Sequence, residues 1–159
     1  MLWALLDSPI GELSVALDDL GVCGVRFGRA EPVPEPAAGE RLSSVAEELR
    51  RYFAGELTRF TVPLSVHRGS AFERAVWTEL SRIPYGEMRT YGEIAAALGD
   101  AGAARAVGTA CNRNPIPVIV PCHRVVGAGG KLVGFGGGLS RKRYLLELEA
   151  RVDFARAWS

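Results

Sequence analysis

The sequence predicts an α/β (α+β) chain of two unlike parts. One is a small N-terminal lobe built on an antiparallel sheet; the other is a helical C-terminal domain containing a helix-turn-helix. Three observations carry that prediction. Residues 2–27 alternate short apolar runs with turn signals, as an antiparallel meander does. From residue 70 onward, Ser/Thr-x-x-Glu pairs stand directly ahead of apolar residues at helical spacing, which marks capped helix starts. The second of these helices and the one after it are short and separated by a glycine-containing turn, which matches a helix-turn-helix.

In chain order, strands are expected at 2–6, 12–17 and 22–27, separated by Ser8-Pro9, Asp18-Asp19 and Gly28. "EPVPEPAAGE" (31–40) reads as a Pro-rich loop. Leu42, Val45, Leu49 and Tyr52 share one helical face, so a helix is expected from about 41 to 53, ended by Gly55. "LTRFTVPLSV" fits one more strand and leads to a boundary near 66–69, which divides the chain into domains 1–66 and 67–159. Ser70 and Glu73 then open a helix over about 71–82, stopped by Pro84. Thr90 and Glu93 repeat the device ahead of "YGEIAAAL", and Gly99 supplies a left-handed stop. After "GDAG", "AARAVGTACNRN" begins the second helix of the pair. "GAGGKLVGFGGGL" is a glycine-rich loop, and Ser140 is placed to cap a last helix of about 141–150.

Composition narrows the function. The 159 residues are 48% hydrophobic and 23% charged, as in an ordinary soluble globule. No apolar run approaches the roughly 20 residues of a membrane span, and the N-terminus has neither the basic start nor the cleavage site of a signal peptide. Cysteines at 23, 111 and 122 form no disulfide framework. A cytoplasmic protein is therefore expected, without a membrane partner, and a monomer because nothing marks a dimer interface. Residues 1–65 carry 6 basic and 10 acidic side chains, whereas residues 66–159 carry 13 and 8. The cations are nearly all arginine, which suits phosphate contacts, so a polyanion partner for the second half is permitted.

The chemistry centres on "IVPCHRVVG" (119–127). A nucleophilic cysteine must be a thiolate, which needs a cation, a base or a helix N-terminus nearby. His123 is a base adjacent in sequence to Cys122. Neighbours on an extended chain face apart, so a bridging water or a kink at Pro121 is required. Glu147 and Glu149 are both candidates to orient the imidazole. Metal is not expected: no C-x-x-C exists and the histidines are His67 and His123 alone. The glycine loop fails the nucleotide-cradle pattern at Val125, Leu132 and Leu139. Ala103, Ala104, Ala106, Gly108 and Ala110 make the second helix thin. That suits tight helix packing or close approach to a groove, with Arg105 projecting.

Taken together, "IPYGEMRTYGEIAAALG", "AARAVG", "NRNPIPVIVPCHRVVGAGG" and "GFGGGLSRKRYLLELE" resemble the O6-alkylguanine-DNA alkyltransferases, the methylated-DNA–protein-cysteine methyltransferases, over roughly residues 70–150. "SPIGELSVALDDLGVCGVRF" is compatible with that family's RNase H-like N-terminal domain. The resemblance implies repair of O6-alkylguanine, with O4-alkylthymine a second candidate substrate, in double-stranded DNA by minor-groove binding and base flipping. The alkyl group would move once and irreversibly to Cys122, with no metal or cofactor. It implies His123 acting through water, Glu149 holding His123, Asn114 bracing the active-site turn, and Tyr91 protonating the leaving guanine. It implies DNA contacts from Arg105 as the residue filling the vacated stack, and from Thr90, Tyr91, Ala104, Gly108 and Arg113. Pro117, Val125, Phe135 and Gly136 would bound the base pocket. Phe135 and Gly136 depart from the Tyr-Ser of some members, so a hydroxyl donor to O6 is missing. The alternative is an alkyltransferase-like lesion reader without catalysis; those replace the cysteine, and Cys122 is present.

Overall fold

The computed structural model describes residues 2–29 and 40–158, so the Pro-rich stretch read as a loop lies, apart from Glu40, outside the described residues. The chain separates into two compact units, Met1–His67 with Pro115–Ile119, and Arg68–Asn114 with Val120–Ser159.

The first unit contains β1 (Leu2–Leu6), β2 (Leu13–Leu17) and β3 (Val22–Phe27), an antiparallel sheet in the order β1-β2-β3. Trp3 stands opposite Ala16, and Val15 opposite Val25. The central β2 is buried along its whole length, Ser14 included. That hydroxyl is accommodated by donating to Gly28 O at 2.6 Å, as a buried polar group requires. α1 (Glu40–Phe53) buries Leu42, Val45, Leu49 and Tyr52, the face its spacing predicts.

The strand expected across 57–66 does not form. Only Leu64 bridges to Val22, with Val22 N donating to Pro63 O at 2.9 Å and Ser65 N to Val22 O at 2.8 Å. Pro63 has no N–H to extend a ladder. The amides of Thr61 and Val62 turn instead to the Glu48 carboxylate on α1, at 2.8 and 3.2 Å. Further along β3, Val25 N donates to Pro115 O at 3.0 Å, which is how the remote segment 115–119 joins this unit. Within it Val118 has φ +74°, a conformation costly for a β-branched residue.

In the second unit, α2 (Ala71–Leu80) and α3 (Tyr91–Ala97) both begin with the capping boxes read from the sequence. Glu73 N donates to Ser70 Oγ at 3.1 Å and Ser70 N to Glu73 Oε1 at 2.9 Å; Thr90 and Glu93 exchange the same pair at 3.0 and 2.9 Å. Gly99, at φ +84°, follows α3. α4 (Ala104–Asn112) completes the helix-turn-helix. Trp77 Nε1 donates to Ala110 O at 2.8 Å, tying α2 to α4. Gly69 (φ +102°) lets the chain pass that indole, since a Cβ there would lie 2.5 Å from the ring. Two short strands, β4 (Arg89–Thr90) and β5 (Val125–Val126), pair in parallel. At two residues each they leave no periodic trace in the sequence.

The last helix, α5 (Leu139–Ala157), starts earlier and runs further than expected. Ser140 lies inside it and is not the cap. Gly138 holds the N-cap position at φ +90°, with no side-chain cap bond. No Pro or Gly follows Ala150 until the helix ends, so nothing stops it there.

Candidate active site

Cys122, His123 and Arg124 do not continue a strand. They form one turn of 3-10 helix, closed by Arg124 N donating to Pro121 O at 3.0 Å. Such a turn advances roughly 120° per residue, so its three side chains fan out in different directions. His123 and Arg124 both reach Glu149 on α5. His123 Nε2 lies 2.7 Å from Glu149 Oε2, Arg124 Nε donates to Oε1 at 2.7 Å, and Arg124 Nη2 donates to Oε2 at 3.0 Å. Arg124 Nη1 donates to Ile83 O at 2.7 Å, and Gly86 N donates to Glu149 Oε1 at 3.4 Å. Gly86 has φ +80°, and a Cβ there would meet the Asp153 carboxyl carbon at 2.7 Å, so this amide is delivered by a residue only glycine can be.

These contacts fix the charge states. Burial alone would raise the Glu149 pKa, but the His123 and Arg124 donors outweigh it and hold the carboxyl down at about 2. His123 is fully buried, and that burial dominates the opposing pull of Glu149, keeping its pKa below the ordinary value and the ring neutral. The counter-charge of Glu149 is therefore the Arg124 guanidinium. An ionised carboxylate only accepts hydrogen bonds, so His123 donates its Nε2 proton to Glu149. Its basic nitrogen is Nδ1, which is buried with no protein hydrogen-bond partner among the described residues.

Cys122 is 6% exposed. Burial pushes its thiol up, opposed by a hydrogen bond with the Asn114 side chain and by the charge of Lys142. The resting sulfur is accordingly protonated near neutrality and needs a base. Asn114 also donates from Nδ2 to Val120 O at 2.9 Å, so it braces the backbone entering the turn.

The other sequence-derived candidates are placed as follows. Tyr91 opens α3; its hydroxyl donates to Val133 O at 3.0 Å, and burial raises its pKa to about 12. The ring lies against Gly108 of α4, where a Cβ would stand 3.8 Å away, so part of the thinness of that helix serves packing inside the helix-turn-helix. Arg105 projects, exposed, from the first turn of α4 behind half-buried Ala104. Thr90 is engaged as the α3 cap, and Arg113 at the end of α4 pairs with Glu73 at 3.0 Å. Val125 is buried in β5, Phe135 is half-buried and Gly136 exposed in the glycine-rich loop. Pro117 is buried in the segment that belongs to the first unit.

Three participants escaped the sequence reading: Arg124, Lys142 and the Gly86 amide. Arg124 was visible as the residue after Cys-His, without a hint that it shares the glutamate. Lys142 is one of only two lysines, with Lys131, among 19 cations. That choice where arginine is the rule was the available signal.

Two family profiles match the chain: "6-O-methylguanine DNA methyltransferase, DNA binding domain" over residues 71–151, and the same family's "ribonuclease-like domain" over residues 1–66. A methylated-DNA–protein-cysteine methyltransferase of Mycobacterium bovis is 51% identical over 151 residues, covering 91% of this chain and 89% of that protein. One from Methanosarcina acetivorans is 47% identical over 154 residues, covering 94% and 98%. Among solved structures, Mycobacterium tuberculosis OGT in complex with DNA superposes with a TM-score of 0.88 at 49% identity, covering 96% of this chain and 94% of that one.

Proposed function

Because this chain belongs to the 6-O-methylguanine DNA methyltransferase family, and so repairs DNA by moving an alkyl group onto a cysteine of its own, we propose that Cys122 is that cysteine and that O6-alkylguanine in duplex DNA is the donor. The observation that carries this assignment is the buried set Glu149–His123–Arg124, which leaves His123 Nδ1 as a basic nitrogen one residue from a nearly buried thiol. Neither Cys23 nor Cys111 adjoins an imidazole in sequence.

In the proposed reaction His123 Nδ1 withdraws the Cys122 proton through a bridging water. The thiolate attacks the alkyl carbon, forming the S–C bond as the C–O6 bond breaks, and the electron pair leaves with the guanine. Tyr91 gives the purine a proton, which matters because a guanine anion leaves poorly. To do so its hydroxyl exchanges Val133 O for the base. The product is a thioether that water does not cleave, so one molecule repairs one lesion. Neutral His123 accepts the thiol proton because Arg124, not the imidazole, balances Glu149.

Residues 67–159 perform binding and transfer in this reading, with 1–66 as a scaffolding lobe. Arg105 fills the gap left by the everted base. Thr90, Tyr91, Ala104, Gly108 and Arg113 lie along the DNA strand, Arg113 exchanging Glu73 for phosphate. Val125, Phe135 and Gly136 bound the base, with backbone groups in place of the absent hydroxyl. The protein acts as a cytoplasmic monomer; no described helix is long and apolar enough to cross a membrane.

Peptide mapping by mass after mixing with an O6-methylguanine duplex tests the assignment. One methyl on the peptide holding Cys122 is expected. An unmodified Cys122, or a methyl on Cys23 or Cys111, would overturn it.

A further inference from the structure

The first turn of α5 carries a fully buried ammonium that the transfer steps above do not use. Lys142 is 0% exposed. Its Nζ donates to Val133 O at 3.0 Å, to Gly134 O at 3.2 Å and to Tyr91 Oη at 3.4 Å, and it lies 5.6 Å from the Tyr91 ring centroid. An ammonium has three donors, and here each has an acceptor. All three acceptors are neutral, and no carboxylate pairs with Lys142 among the described salt bridges. A buried charge without a counter-ion is strongly disfavoured, because it has given up its hydration for nothing of opposite sign. Lys142 contacts Tyr91 of α3 directly, and Cys111 of α4 and Cys122 and His123 of the 3-10 turn are within its electrostatic reach. Of these, a thiol can supply a negative charge at modest cost, and Cys122 is the one made to ionise.

We propose that Lys142 is a positioning residue for alkyl transfer: its buried ammonium ties the Tyr91 hydroxyl and the glycine-rich loop at Val133 and Gly134 into one arrangement, and is the counter-charge of the Cys122 thiolate. This rests on Cys122 being the acceptor. The mutual influence of the two groups has the matching sign: burial depresses Lys142, and the Cys122 and Cys111 thiolates oppose that depression. Once Cys122 is alkylated the sulfur cannot carry a charge, and the cation is left uncompensated beside the loop it holds.

The first test is the pH profile of methyl transfer to Cys122, followed by mass with an O6-methylguanine duplex. Lys142→Met is expected to move the alkaline rise of the rate to higher pH and slow transfer near neutrality about tenfold, one pKa unit. Lys142→Gln, which keeps a donor for the carbonyls but no charge, should behave as the Met variant does. Lys142→Arg should return the profile toward wild type. A Met or Gln variant with the wild-type profile would overturn the proposal, as would an Arg variant as shifted as Met. The second test needs no variant that must fold. With 15N-lysine labelling the wild-type chain gives just two Nζ signals, Lys131 and Lys142. Coupling is reciprocal, so Lys142 should titrate at lower pH in the Cys122-methylated protein than in the free thiol. Identical titrations would also overturn it. Absence of any methyl on wild-type Cys122 would instead sink the underlying assignment, so the two failures are distinct.

Discussion

At the scale of single residues, Glu149 is the hub. Its carboxylate accepts His123, both faces of the Arg124 fork and the Gly86 amide, and each donor does a different job. His123 gains its tautomer, Arg124 supplies the charge, and Gly86 fixes the approach of the loop before β4. Arg124→Met should lower stability by roughly 3–5 kcal/mol, the cost of breaking a buried pair, read as a fall in denaturation midpoint. It should also move the acid limb of the transfer rate to higher pH, because the arginine charge holds the His123 pKa down. A variant destabilised with an unmoved acid limb would show that Arg124 is structural only. Stability itself should fall on acidification in two stages. His123 is kept below its ordinary 6.5, so the unfolded chain binds a proton that the folded one refuses, and stability declines as pH drops below about 6.5. Glu149 is kept at about 2 against an ordinary 4.5, so its contribution is present above 4.5 and is lost as pH falls toward 2. His123→Gln should abolish the upper stage; urea midpoints at a series of pH values would reveal it.

At the scale of elements, caps and turns decide where chemistry is possible. Ser70 and Thr90 each close a reciprocal box, and replacing either with alanine should cost about 1 kcal/mol, measured by thermal unfolding. The two differ in consequence, because α3 begins with Tyr91: Thr90→Ala should also slow methyl transfer, whereas Ser70→Ala should not. Equal rates for both variants would detach the α3 start from the site. These boxes were legible because a cap is a local, four-residue code. The meander and the apolar face of α1 were legible for the same reason, each being a short-range period. The strand expected over 57–66 failed because its apolar residues gave a pattern while Pro63 and the pull of Glu48 on Thr61 and Val62 decided its bonds. The β4–β5 pair was invisible: two-residue strands have no period, and their partners are 36 positions apart in sequence (Arg89 with Val125).

At the scale of the whole molecule, the proposed nucleophile Cys122 and the helix-turn-helix lie in one unit, residues 68–114 with 120–159, while 115–119 joins the other. Sequence order alone hid that exchange, since nothing in "PIPVI" announces that Pro115 O will accept from β3. Of the candidate site, Cys122 and His123 were marked by their adjacency in the sequence, while Asn114 and Tyr91 were named, and Glu149 singled out, through the family resemblance. The electrostatics of the site were not legible, because Arg124 and Lys142 act through contacts 25 and 51 positions away, on Glu149 and Tyr91. In the proposed reading the thiol draws its base from its own 3-10 turn, its counter-charge from α5 and its brace from the residue just after the α4 cap. The most direct measurement is methyl remaining on an O6-methylguanine duplex after exposure to a known amount of protein. Wild type should clear one methyl per protein molecule and then stop, and Cys122→Ala should clear none; loss of methyl at the wild-type rate with the alanine variant would contradict the account.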